Sequence, residues 1–184
     1  MQEAVPEGVG AMAALLKLPE GKLDEILREA AQEEIVTAAN INSRDQIVIA
    51  GHRGAVERAM ELAKTAGAKR VVPLPVSAPF HCPLMAPAQE RLKADLDSTR
   101  FRDLRMPLVN NWQAREICTA AEAREGLYQQ VPDPVRWMES MQLLAAKGVE
   151  RWFELGAGAV LSGLLRTIVP GAKCTPIGLS LIHI

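Results

Sequence analysis

Ile35-Val-Thr-Ala-Ala-Asn-Ile-Asn-Ser-Arg-Asp-Gln-Ile-Val-Ile-Ala50 holds two β-branched segments, Ile35–Asn42 and Gln46–Ala50, joined through the turn-rich tetrad Asn42-Ser-Arg-Asp45. That pattern is a β-hairpin, and its flanks decide what the hairpin belongs to. Upstream, Val9-Gly-Ala-Met-Ala-Ala-Leu-Leu16 is a short apolar run that reads as a buried strand. Between it and the hairpin, Leu23, Ile26, Leu27, Ala30 and Ala31 fall on one helical face, with Pro19 expected to open the helix. Downstream, Val56, Ala59, Met60, Ala63 and Ala66 mark a second helix that Gly67 stops. Lys69–Val76 reads as a further strand, and its prolines at 73 and 75 place it at a sheet edge.

The order is therefore β-α-β-β-α-β over about residues 7–76. This is the split βαβ, or ferredoxin-like, pattern, and it predicts a four-stranded antiparallel sheet with two helices on one face. Beyond Ser77 the texture changes. Pro79, Pro83 and Pro87 crowd a loop leading into a helix from about Ala86 to Asp97. Pro107–Asn110 reads as a short strand, Ala120–Gln130 as a helix, and Pro134–Lys147 as another that Gly148 ends. Val149–Leu155 reads as a strand, followed by Gly156-Ala157-Gly158, a helix to about Val169, and a last strand at Cys174–Ile177. Strand, glycine turn, helix and strand make α/β grammar with a parallel sheet. Three short strands are few for a doubly wound domain.

Composition bounds the function classes. The 184 residues are 48% hydrophobic and 23% charged, with 21 basic against 22 acidic side chains. That balance excludes a disordered chain and leaves no basic footprint for nucleic acid. No apolar run approaches the ~18 residues of a membrane span, and the N-terminal residues do not read as a signal peptide. Cys82, Cys118 and Cys174 are odd in number and widely spaced, without CxxC or Cys/His metal spacing. They indicate a reducing, cytoplasmic setting and no metal site.

The densest constellation is Pro75-Val-Ser-Ala-Pro-Phe-His-Cys-Pro-Leu-Met85. It sets His81 in a strand-to-helix loop, where α/β proteins place reactive groups. An imidazole there can act as a general base, or it can be an ordinary loop histidine. A Cys82–His81 dyad is geometrically poor, because adjacent side chains on an extended chain diverge. No serine is framed as G-x-S-x-G, so the chain offers a candidate base without a nucleophile elbow. Glu154–Leu165 has the setting of a phosphate-cradling loop. Its third G-x-G-x-x-G position is Leu161, however, and tight strand-to-helix turning explains its glycines. Asn40, Asn42 and Ser43 are accounted for by turn chemistry. Trp112, Trp137 and Trp152 read as packing residues.

Five stretches together resemble the malonyl-CoA:acyl carrier protein transacylase family of fatty acid synthesis: Met1–Met12, Asn40–Gly51, Pro75–Met85, Gln130–Trp137 and Glu154–Leu164. The resemblance runs over about residues 1–178. It implies the ferredoxin-like subdomain (7–76) joined to the C-terminal part of an α/β-hydrolase-like acyltransferase core (77–178). It implies transfer of a malonyl group from malonyl-CoA to the phosphopantetheine thiol of acyl carrier protein, through an acyl-serine intermediate. The family's general-base histidine falls on His81, and the backbone carbonyl that orients it falls on Gln130. The specificity position falls on Phe80, whose ring would crowd a 2-methyl branch, and Asn40 and Asn42 would line the pocket. The implied partners are acyl carrier protein and malonyl-CoA, with no cofactor, no metal, no nucleic acid and no membrane. The implied full-length state is a cytoplasmic monomer.

Two features depart from the family. The G-H-S-x-G serine and the arginine that pairs with the malonyl carboxylate have no counterpart in these residues. The expectation is a C-terminal fragment that is inactive alone. Leu179-Ser-Leu-Ile-His-Ile184 also departs from the family and can be encoded by the transposon end used in sequencing libraries. Residues 179–184 are thus expected to be a non-native tail, and His183 to carry no function. The alternatives are a non-catalytic module that binds acyl carrier protein or CoA, and an acyltransferase domain fragment of a polyketide synthase. The in-frame DNA upstream of Met1 discriminates among these.

Overall fold

The computed structural model describes residues 2–76 and 78–178. His183 and the tail at 179–184 lie outside the described residues. The first part forms β1 (Gly10–Leu16), α1 (Leu23–Ala31), β2 (Val36–Ser43), β3 (Gln46–His52), α2 (Arg53–Thr65) and β4 (Arg70–Pro73). These strands make one antiparallel sheet in the order β2-β3-β1-β4, as the split βαβ reading expects. Among the described residues, the proline-bearing strand β4 is at an edge of this sheet and pairs only with β1.

The β1 sequence is a continuous apolar run because both faces of the sheet are covered. Ala13 and Leu15 join Ile26, Ala30, Ile49, Val56, Ala59 and Ala63 under α1 and α2. Met12 and Ala14 face the other way and meet Ala39, Val48, Ala50 and the buried Cys82. The 78–85 loop therefore forms a second roof over the sheet. Close approach is built in at Gly51, where a Cβ would lie 2.0 Å from the Ile35 carbonyl oxygen.

The second part forms α3 (Ala86–Ser98), β5 (Leu108–Val109), β6 (Glu116–Ile117), α4 (Ala120–Gln129), α5 (Trp137–Ala146), β7 (Arg151–Leu155), α6 (Val160–Ile168) and β8 (Lys173–Ile177). The pair β7-β8 is parallel, with α6 crossing between them. Three expectations change. The segment at Pro107–Asn110 pairs with the unforeseen β6 as a small antiparallel hairpin, so the parallel sheet has two described strands. Pro19 sits before a turn, and α1 begins at Leu23. α5 begins at Trp137 because the backbone of Val135 is engaged by β2. Its N–H donates to Ala39 O, and its carbonyl accepts from Ile41 N, both at 2.8 Å.

Candidate active site

The chain leaves β4 into the proline-rich loop and is held there at several points. Leu74 N–H donates to Met12 O at 2.9 Å. Pro79 lies against Gly10, where a Cβ would come within 2.4 Å of the Pro79 ring. The Cys82 thiol donates to Pro79 O at 3.1 Å, and Met85 N–H donates to Cys82 O at 2.9 Å. Burial pushes the Cys82 thiol up to about 11, so it stays protonated and inert near neutrality. No Cys–His dyad forms.

Between these anchors His81 adopts φ +58°. A non-glycine residue in this left-handed region costs on the order of 1–3 kcal/mol and persists only where its surroundings enforce it. The turned backbone sends the half-buried imidazole toward α4, where Nδ1 lies 2.9 Å from the Gln130 carbonyl oxygen. A carbonyl only accepts, so Nδ1 carries the proton and donates, which leaves the Nε2 lone pair free.

Gln130 caps α4, with its N–H donating to Gly126 O at 3.0 Å. Its side-chain Nε2 donates to Asp133 O at 2.9 Å and Pro134 O at 3.2 Å. Sequence reading missed Gln89 of α3. Its Nε2 donates to Tyr128 O at 3.1 Å and to Gln129 Oε1 at 3.3 Å. It braces the end of α4 from the helix that follows the His81 loop, and no local motif marks it.

Phe80 packs against two clusters at once: the sheet face with Met12 and Cys82, and a cluster of Val5, Met85, Ala88 and Val131. Asn40 is opposite Val48 in the register, on the sheet face that the 78–85 loop covers. Asn42 falls at a second irregularity, between Ile41 and Ser43, toward the hairpin tip. His81, Gln130 and Phe80 thus gather on one loop cluster. Asn40 adjoins it through the Val135 bridge, and Asn42 is further along β2.

The serines at 43, 98, 140 and 162 have local partners. Ser43 Oγ accepts from Asp45 N, Ser98 and Ser140 donate to backbone carbonyls, and Ser162 donates to Glu154. Ser77 is outside the described residues. The phosphate-loop alternative at Gly156–Gly158 is excluded by occupancy. The Glu154 carboxylate accepts from Leu161 N, Ser162 N and Ser162 Oγ at 3.0, 2.8 and 2.5 Å, filling the N-terminus of α6. The Ser162 hydroxyl, with those amides, holds the Glu154 carboxyl below the usual range against the effect of burial. Trp112 donates from Nε1 to Asp133 Oδ2 at 2.7 Å, while Trp137 and Trp152 line an apolar cavity with Met141 and Leu165. Among the described residues no group of three His, Cys, Asp or Glu could hold a metal ion. No helix there is long and apolar enough to cross a membrane.

No family model matches the chain. The malonyl CoA-acyl carrier protein transacylase of Escherichia coli strain K12 is 46% identical over 169 residues, covering 92% of this chain and 55% of the relative. The protein of that name from Bacillus subtilis strain 168 is 44% identical, covering 91% and 53%. The crystal structure of an acyl carrier protein S-malonyltransferase from Vibrio cholerae superposes with TM-score 0.94 at 42% identity, over 96% of this chain and 58% of that one. A malonyl-transacylase solved in complex with its type II PKS acyl-carrier protein gives 0.92 at 42% identity, over 96% and 57%. The chain spans about half the length of the curated relatives it matches. Sequence identity and fold agree along almost all of its described length, and over that length the chain is similar to malonyl-CoA:acyl carrier protein transacylases.

Proposed function

We propose that this chain supplies the histidine side of a malonyl-transfer site. In this reading, a serine that the 184 residues do not present attacks the thioester carbonyl of malonyl-CoA. His81 Nε2 takes the serine proton as the Oγ–C bond forms, and gives it to the CoA sulfur as the C–S bond breaks. The same steps in reverse order pass the malonyl group to the phosphopantetheine thiol of acyl carrier protein. No cofactor is called for, and the whole enzyme would work in the cytoplasm as a monomer. The supporting observation is the His81 Nδ1–Gln130 O contact at 2.9 Å, which leaves the Nε2 lone pair free to accept. Phe80, beside the base, would shape the malonyl pocket, with Asn40 and Asn42 as lining. The family name of the relatives favours the catalytic reading over a carrier-binding module or a polyketide synthase domain fragment.

The test is a fusion of this chain behind the N-terminal part of the Escherichia coli relative, assayed for transfer of radiolabelled malonyl to acyl carrier protein. His81→Ala should lower turnover by roughly 10²–10⁴, the usual contribution of a general base. Undiminished turnover would sink the assignment. The 184-residue chain alone, with no G-x-S-x-G serine, should transfer nothing.

A further inference from the structure

Any residue at position 130 would supply a backbone carbonyl, so the carbonyl contact with His81 does not explain why a glutamine stands there. Both amide hydrogens of its side chain are engaged, by Asp133 O at 2.9 Å and Pro134 O at 3.2 Å. These bonds close the 130–134 loop. At one end of the loop, Gln130 N–H is fixed to Gly126 O of α4. At the other end, Val135 is fixed to Ala39 and Ile41 of β2, both at 2.8 Å. The side chain is the tie between those two anchors, and the carbonyl that accepts from His81 sits on the tied residue.

We infer that Gln130 is a positioning residue acting through its side-chain amide. The amide locks the 130–134 loop to the edge of the ferredoxin-like sheet, and so fixes the acceptor carbonyl that sets the His81 tautomer. Hydrogen bonds weaken steeply once distance and angle drift, so a loosened loop releases Nδ1. The imidazole then exchanges to the Nε2–H form, which cannot accept a proton at Nε2. This rests on the reading of His81 as the base, but its readout does not pass through catalysis.

The test is long-range ¹H–¹⁵N NMR of the histidines in the 184-residue chain, at about pH 8, where imidazoles are ordinarily neutral. His81 should show a protonated Nδ1 and a bare Nε2. Gln130→Met keeps the backbone carbonyl and the apolar stem but removes both donors. It should raise the Nε2–H tautomer about fivefold or more, the ratio expected from losing one hydrogen bond of ordinary net strength. Tyr128→Phe, which removes a surface bond to Glu90 from the same helix, should leave the tautomer unchanged.

An unchanged tautomer in folded Gln130→Met overturns the inference. Should that variant not fold, the unsubstituted chain decides. The Gln130 carboxamide protons should exchange with solvent about tenfold more slowly than those of exposed Gln142, and equal rates overturn the inference. If His81→Ala leaves the fusion enzyme active while Gln130 sets the tautomer, the proposed function falls and the positioning role stands.

Discussion

At the scale of single residues, the site depends on close contacts that a side chain would spoil. Gly10 is one, because Pro79 occupies the volume of a Cβ there. Gly10→Ala should push Pro79, and with it the His81 turn, away from β1. Overpacking of this kind costs about 1–3 kcal/mol, read as a lower urea midpoint at unchanged m-value. Cys82 gives a second expectation. It is fully buried with its thiol held up to about 11, whereas Cys118 is exposed. A thiol reagent near neutral pH should label Cys118 promptly and Cys82 only after unfolding; prompt labelling of Cys82 would contradict the loop packing. Phe80→Ser in the fusion enzyme should relax discrimination against methylmalonyl-CoA by about 1–3 kcal/mol, the usual worth of one methyl. Because Phe80 also bridges two apolar clusters, the ratio of kcat/KM for the two thioesters is the proper measure, since lost folding cancels from it. The candidate base was legible in the sequence from the prolines around His81. Its positive φ and its partner were not, because Gln130 is 49 residues away and only the family resemblance pointed to it.

At the scale of elements, α4 matters most, since its C-terminus delivers the Gln130 carbonyl. Its N-terminus is fixed by a capping box. Thr119 Oγ1 accepts from Glu122 N at 3.2 Å, and the Glu122 carboxylate accepts from the amides of Cys118 and Thr119 at 3.0 and 3.1 Å. Those amides, with Arg115 and the Thr119 hydroxyl, hold the Glu122 carboxyl down to about 2, against an ordinary 4.5. A depressed carboxyl stabilises the fold above its unfolded value and loses that contribution as pH falls from about 4.5 toward 2. Glu122→Gln should therefore lower the urea midpoint at pH 6 but converge on the parent as pH falls through that window. A constant gap would mean the charge is not what Glu122 contributes. Thr119→Ala should cost about 0.5–2 kcal/mol at pH 6, and less as Glu122 becomes protonated, because the Thr119 hydroxyl donates to that carboxylate. The sequence marked the extent of α4 well. It misplaced the starts of α1 and α5, because proline suits a first turn equally well when the chain does something else there. At Val135 the edge of β2 takes the backbone instead, a long-range pairing that no local pattern encodes.

At the scale of the molecule, the two parts differ in how fully their apolar surface is covered. The ferredoxin-like part was legible almost whole, since its pattern is local and its core under α1 and α2 closes on itself. Ala13, Ile49, Ala55 and Ala59 are inaccessible to solvent there. The β7-β8-α6 unit was legible as elements, but nothing in its sequence says which faces stay open. Leu155 is 77% exposed and Val160 71%, with Phe153, Leu161 and Ile177 also exposed. Open parallel edges and contiguous apolar surface favour association. Two measurements follow on the 184-residue chain. Amide exchange should be slowest at the β1 and β3 positions around Ala13 and Ile49 and fastest in β7 and β8, because opening free energy follows buried contact. Light scattering should show concentration-dependent self-association, and replacing Leu155 and Val160 with lysine should reduce it while leaving the slow amides of β1 and β3 protected. Association that persists in the double variant would place the sticky surface elsewhere. Uniform protection across both sheets would mean that β7-β8-α6 is held as firmly as the ferredoxin-like core, despite its exposed side chains.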